Sequence, residues 1–172
     1  MNIFVLDIDP VKAAQAMDCV RVPKMVTESA QMMASALRRH GATDDDMPLT
    51  KAGKPYKGGY HHHPCTRWAG DTRSNYDWLG RHALALLVEY YKRFNKEHAC
   101  ARPICDMVFM SYYIGDSLPN DVLTPFAQAM PDEYKDDDPV VAYRAYYKSK
   151  IDSPGGVHYR HTNPPDWWEV TV

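Results

Sequence analysis

The spacing of apolar residues repeats with a helical period along most of the chain. From Val22, apolar side chains fall at Met25, Val26, Met32, Met33, Ala36 and Leu37, with Ser29 in the gap, a stripe of period near 3.6. Lys24, Glu28, Gln31, Ser35 and Arg38 take the opposite face, and Gly41 is placed to end the helix. Upstream, residues 2–7 read as a short buried extended segment. Asp9-Pro10 is an N-cap followed by proline at the first helical position, which predicts a helix over about 10–18. Pro23 either restarts or kinks it. Residues 41–72 read as loop, carrying Gly58-Gly59 and His61-His62-His63-Pro64.

The strongest stripe follows. Tyr76, Leu79, Ala83, Leu86, Leu87, Tyr90 and Phe94 predict a helix over about 73–97, capped by Asp71 or Thr72. Lys92, Arg93, Lys96 and His98 at its end suit the helix dipole. Residues 99–137 are mixed, and Met107–Ile114 fits either a strand or a short helix. Asp138-Pro139 opens a last helix over about 139–149, with Tyr143, Tyr146 and Tyr147 on one face. The tail holds Gly155-Gly156, Pro164-Pro165 and Trp167-Trp168. No alternating strand pattern and no internal repeat appear. The expected fold is mostly α, a single compact helical domain over residues 1–172 with long loops.

Length and composition agree with that reading. A chain of 172 residues with 45% hydrophobic and 24% charged residues can bury a core without disulfide or metal. No apolar run has the length of a membrane span, and Asp7 and Asp9 interrupt Ile3–Leu6, so no export signal is expected. Cys19, Cys65, Cys100 and Cys105 form no CxxC and are expected as reduced thiols in a cytoplasm. The net charge of −2 is unevenly spread: residues 51–103 hold 10 basic and 4 acidic groups, residues 104–172 hold 5 and 11. A basic block inside a slightly acidic chain attracts phosphate, although the simplest reading is a solvated surface.

Three groups carry candidate chemistry. Glu28 lies mid-helix with Lys24 one turn away and Arg21 nearby on the helical wheel. A carboxylate beside cations stays ionised and acts as a base or faces a developing cation. The plainer reading is a solvated Lys–Glu pair worth a few tenths of a kcal/mol. In Tyr143-Arg144-Ala145-Tyr146-Tyr147-Lys148, aromatics interleave with cations, as a nucleic-acid surface requires; the competing reading is an amphipathic helix packing its tyrosines. His61, His62 and His63, beside Cys65, supply enough donors for zinc, but adjacent histidines cannot all face one ion. No metal or cofactor is therefore assigned. The histidine loop, with Arg67 and Arg73, is expected to touch phosphate. GxGxxG, GxxxxGK[ST], GxSxG and HExxH are all missing from the sequence, which leaves the common nucleotide, hydrolase and zinc-protease readings unsupported.

On these residues the chain resembles the pyrimidine-dimer DNA glycosylase family, of the phage endonuclease V type. Family members carry an Asp-x-His pair in the N-terminal helix and a catalytic Glu seven residues after the His. Here Cys19 falls at the Asp position, Arg21 at the His position and Glu28 on the Glu. Ala142–Lys148 is similar to the family's aromatic, cationic run near the C-terminus. The resemblance implies an enzyme that binds duplex DNA and extrudes a base. An N-terminal α-amine then attacks the sugar C1′ to form a Schiff base, and the Glu stabilises the cationic sugar and assists strand scission. The family exposes its nucleophile by removing Met before a small residue. Asn2 hinders that step, so either the amine belongs to Met1 or the chemistry is different.

The expected function is thus a DNA glycosylase and AP lyase for damaged or modified pyrimidines. Glu28, Met1, Asn2 and Arg21 are the catalytic candidates. Lys24, His61, His62, His63, Arg67, Arg73, Tyr143, Arg144, Tyr146, Tyr147 and Lys148 are the nucleic-acid contacts. Two alternatives stay open: a phage enzyme of transferase type that modifies a DNA base or nucleotide, and a non-catalytic protein that binds DNA or a host protein. The expected partner is double-stranded DNA, with the protein monomeric and cytoplasmic.

Overall fold

A computed structural model describes residues 1–114 and 122–168. Among them are six α-helices: α1 (Pro10–Gln15), α2 (Arg21–Arg39), α3 (Pro64–Ala69), α4 (Arg73–Phe94), α5 (Ala101–Val108) and α6 (Pro139–Lys148). Three short 3₁₀ turns and one isolated bridge, Leu49 with Pro55, complete the regular structure of these residues. The mostly α expectation holds, and Met107–Ile114 divides between the end of α5 and a 3₁₀ turn.

Local chemistry explains the helix boundaries. Asp9 caps α1 by accepting from the N–H groups of Val11 (2.8 Å) and Lys12 (3.2 Å), which holds its carboxyl below the ordinary range. Asp138 caps α6 in the same way through Val140 and Val141. Thr72, and not Asp71, caps α4 by accepting from Asn75 N–H at 3.0 Å. Pro23 is the third residue of α2, inside the first turn, where its missing donor costs nothing, so it neither kinks nor interrupts. Gly41, at φ 95°, follows the last turn of α2.

Two expectations are corrected. Residues 41–72 are not all loop, because His63-Pro64 starts α3. His63 Nδ1 accepts the Cys65 N–H at 3.2 Å and does the work of an N-cap. Residues 2–6 are buried as expected, but they are irregular and pair with no strand, and Leu6 N–H folds back to Phe4 C=O at 2.7 Å. With no neighbouring strand, the N–H groups of Ile3 and Phe4 are satisfied by the Asn2 carboxamide oxygen at 2.8 and 2.9 Å. Phe4 adopts the left-handed φ of 37°.

α4 is the axis of the fold, packing against α1, α2 and α5, while α2 also carries α3. Met25, Met32, Met33 and Leu37 of α2 meet Leu79, Ala83 and Leu86 of α4 in one continuous apolar cluster. Each such buried side chain contributes about 1.5–3 kcal/mol. Ile3, Val5, Leu6, Tyr143 and Tyr147 extend the cluster to the start of the chain and to α6. The 122–131 segment joins through Asn75, whose amide donates to Thr124 Oγ1 and whose oxygen accepts Thr124 N–H. No helix among the described residues is long and apolar enough to cross a membrane.

Candidate active site

The polar face of α2 meets the beginning of the chain. Asn2 N–H donates to Glu28 Oε2 at 2.9 Å, and the Met1 α-nitrogen lies 3.8 Å from the same oxygen. Lys24, one turn earlier on α2, places its ammonium 3.7 Å from Glu28 Oε1. The Glu28 side chain is only 12% exposed, against 70% for Lys24, so Glu28 is no ordinary solvated helix carboxylate. Asn2 is fixed by its two backbone acceptances and by donating to Ala129 C=O at 3.1 Å.

These groups line a cavity of about 390 Å³ whose wall also includes Phe4, Arg21, Tyr146, Lys150 and Ser153. The Lys150 ammonium sits 3.6 Å over the Tyr146 ring. Met1, Asn2, Arg21, Lys24 and Glu28 are therefore together at one opening. The arrangement suits a ligand that is anionic along its backbone and flat at its bases: ammonium groups, an aromatic face and a shielded carboxylate converge.

Arg21 does not pair with Glu28, as its helical position suggested. Its guanidinium donates to Asp18 Oδ2 at 2.9 Å and to Gly156 C=O at 2.8 Å, and lies 5.3 Å over the Tyr147 ring. Asp18, which the sequence reading passed over, is fully buried. It also accepts from Val20 N–H at 2.7 Å and from the Tyr147 hydroxyl. The reason is proximity: a carboxylate three residues back, just before the helix begins, reaches Arg21 better than one seven residues ahead. The signal in sequence was an Asp three residues before Arg21, at ion-pair spacing, in the turn that leads into α2.

The histidine triplet divides. His63 faces the chain start: burial lowers its pKa, the Met1 amine lowers it further, and Glu28 opposes both. Because Nδ1 accepts the Cys65 N–H, the neutral ring carries its proton on Nε2. Cys65 is buried beneath the same corner, with Ile3 and Ala129 backbone groups turned toward its sulfur and the Tyr143 hydroxyl 3.9 Å away. Burial pushes this thiol up to about 11, so it packs as a small apolar side chain. His61 and His62 instead line a separate groove with Ser35, Arg38, Arg39, Thr66 and Arg67.

The aromatic run of α6 also divides, and here the expectation of a stacking surface is corrected. Tyr143 and Tyr147 are fully buried; their hydroxyls donate to Ala127 C=O and Asp18, and both rings meet Phe4 edge-on. Residues four apart share the inward face, so only Tyr146 of the three reaches the cavity. Arg144 points elsewhere, donating to Leu6 C=O at 2.9 Å and lying 4.9 Å over the Trp167 ring. It lines a larger cavity of about 540 Å³ whose acids and bases are mixed. Lys148 is exposed, and Arg73 donates to Ser111 C=O at 3.4 Å, outside the Glu28 cavity.

Comparison with curated proteins gives no match, and comparison with solved structures gives none. A family model described as pyrimidine dimer DNA glycosylase matches residues 1–102, which include the amine, Glu28, His63 and Cys65 and leave α6 outside. The chain belongs to the pyrimidine dimer DNA glycosylase family.

Proposed function

We propose that the protein removes a damaged or modified pyrimidine from duplex DNA and then opens the strand through a covalent imine. The observation that carries this reading is the juxtaposition at Glu28 Oε2, 2.9 Å from Asn2 N and 3.8 Å from the Met1 α-nitrogen. A terminal amine keeps a neutral, nucleophilic fraction near neutral pH that a lysine does not. Whether the amine is that of Met1 or, after Met removal, that of Asn2, it lies within reach of the same carboxylate.

The amine attacks C1′, the base leaves, and the nitrogen's proton goes to the base. The nitrogen lone pair then opens the sugar: C1′–O4′ breaks, O4′ takes up a proton, and a C1′=N⁺ iminium results. Glu28 faces that cation as an anion. Loss of a C2′ proton expels the 3′ phosphate and breaks the strand. Lys24 and Lys150 meet phosphate, and Tyr146 offers a face for a base displaced from the stack. Extrusion costs a few kcal/mol, least at a lesion that already weakens pairing. Arg21 and Asp18 brace the cavity wall.

The test is to incubate the protein with ultraviolet-irradiated duplex and examine both strand and nucleosides. A nick at the lesion is expected, with the pyrimidine cut from its sugar still joined to its neighbour and freed only when the photochemical cross-link is reversed. Intact strands bearing a nucleoside of new mass would favour base modification instead. Binding without either product would leave a DNA-binding protein.

A further inference from the structure

The groove of about 470 Å³ beside α3 does not belong to the Glu28 cavity, and its chemistry is distinct. Its wall holds Arg67, which is exposed and pairs with no carboxylate among the described residues. Arg38 and Arg39 also line it. Arg38 is committed to Tyr56 C=O and Asp44, and Arg39 to Gly70 C=O, Arg67 C=O and Asp71, so both guanidiniums are already engaged. His61 and His62 stand exposed at the edge.

The second observation is Thr66. Its residue is 3% exposed, its hydroxyl has no hydrogen-bond partner, and it lines this groove. A buried hydroxyl left unpaired costs about 1–3 kcal/mol, which a hydrogen bond to a ligand in this groove would recover once the side chain turns toward it. The loop wall opposite is held at contact distance: Ser35 Oγ accepts Gly59 N–H at 2.8 Å and donates to Gly59 C=O at 3.0 Å.

The two openings share a track. Arg21, Lys24, Glu28, Ser35 and Arg39 fall on one polar stripe of α2, at offsets of −7, −4, 0, +7 and +11 from Glu28. At 1.5 Å per residue, Ser35 and Arg39 lie about 10 and 16 Å along the helix from Glu28. That matches about three to five base steps of duplex measured along its axis.

We infer that the groove formed by Thr66, Arg67, Ser35 and the His61-His62 edge seats backbone phosphates of the DNA strand about three to five nucleotides from the reacting sugar. The inference rests on the DNA-glycosylase reading and adds where the flanking strand runs. Arg67 supplies the charge and the Thr66 hydroxyl a donor to a phosphate oxygen.

The experiment measures affinity of the full chain for lesion duplexes that extend two or eight base pairs beyond the lesion, as a function of salt. Arg67→Ala should reduce the slope of log affinity against log salt by about 0.9 on the long duplex and leave the short one unchanged. Thr66→Val should weaken long-duplex binding about tenfold while its melting temperature stays equal or rises, because the hydroxyl has no partner to lose. A neutral methylphosphonate scanned along the strand should weaken wild-type binding only three to five positions from the lesion, and not at all in Arg67→Ala. Equal effects on both duplexes, or no positional effect of the methylphosphonate, would overturn the inference. So would calorimetry showing that Arg67→Ala alters binding of inorganic phosphate but not of duplex. Failure of wild-type protein to release base would sink the glycosylase reading alone, since the binding comparison does not depend on turnover.

Discussion

Glu28 and Asn2, 26 positions apart, are joined by a hydrogen bond from the Asn2 backbone N–H to Glu28 Oε2 at 2.9 Å. The bond ties the start of the chain to the middle of α2, and it does so on the helix's polar face. Glu28→Gln keeps an acceptor for Asn2 but removes the anion. Base release is expected to fall about 10²- to 10⁴-fold, with duplex affinity within a few-fold of wild type. Single-turnover cleavage beside a binding titration checks this. Parallel loss of both would mean that Glu28 serves binding or folding.

The buried Asp18–Arg21–Tyr147 set should behave as a structural unit. Asp18→Ala leaves the Arg21 cation and the Tyr147 hydroxyl without their partner and is expected to cost about 3–5 kcal/mol. Tyr147→Phe, which removes only the hydroxyl, should cost about 1–2 kcal/mol. Urea unfolding of the two variants gives the comparison. A double variant should cost less than the sum of the singles, since they share one network.

Tyr146 and Tyr143 should separate function from packing. Tyr143→Ala empties a fully buried site and is expected to lower stability by about 3–5 kcal/mol. Tyr146→Ala, at the cavity mouth, should cost far less stability and weaken DNA binding by about 1–3 kcal/mol if a base stacks there. Thermal melts and DNA titrations of both variants decide. Equal DNA affinity in Tyr146→Ala would remove the stacking role.

Much of this was legible in the chain. Both Asp-Pro caps, the apolar stripes of α2 and α4, and the Glu28 position follow from local rules that need no tertiary context. What local pattern does not carry is which long-range partner a side chain finds. Arg21 looked toward Glu28 on the helical wheel, but Asp18 is nearer once the turn before α2 is built. The tyrosine run looked like one surface, whereas the 3.6-residue period sends Tyr143 and Tyr147 inward and leaves Tyr146 at the edge. α3 was hidden because histidine is an uncommon N-cap, and its cap is seen only once Nδ1 is placed against Cys65 N–H.

His82 supplies a pH test of the fold. It is fully buried, donates through Nδ1 to Pro10 C=O at 2.9 Å, and has its pKa pushed down to about 4 by burial. In the unfolded chain an ordinary histidine titrates near ~6.5. Between these values the unfolded state binds the extra proton, so stability is full above about pH 6.5 and falls as pH drops toward 4, by up to about 3 kcal/mol. Urea unfolding at pH 7 and pH 5 should show the loss. His82→Asn, which keeps a donor for Pro10, should lack this part of the pH dependence.

The most direct test is borohydride reduction of the protein on lesion-bearing duplex, followed by peptide mapping of the trapped complex. A cross-link through the α-nitrogen of Met1, or of Asn2 after Met removal, is the expected result, and Glu28→Gln should trap far more slowly. A cross-link at a lysine side chain, or base release with no trapped species, would contradict attack by the amine beside Glu28.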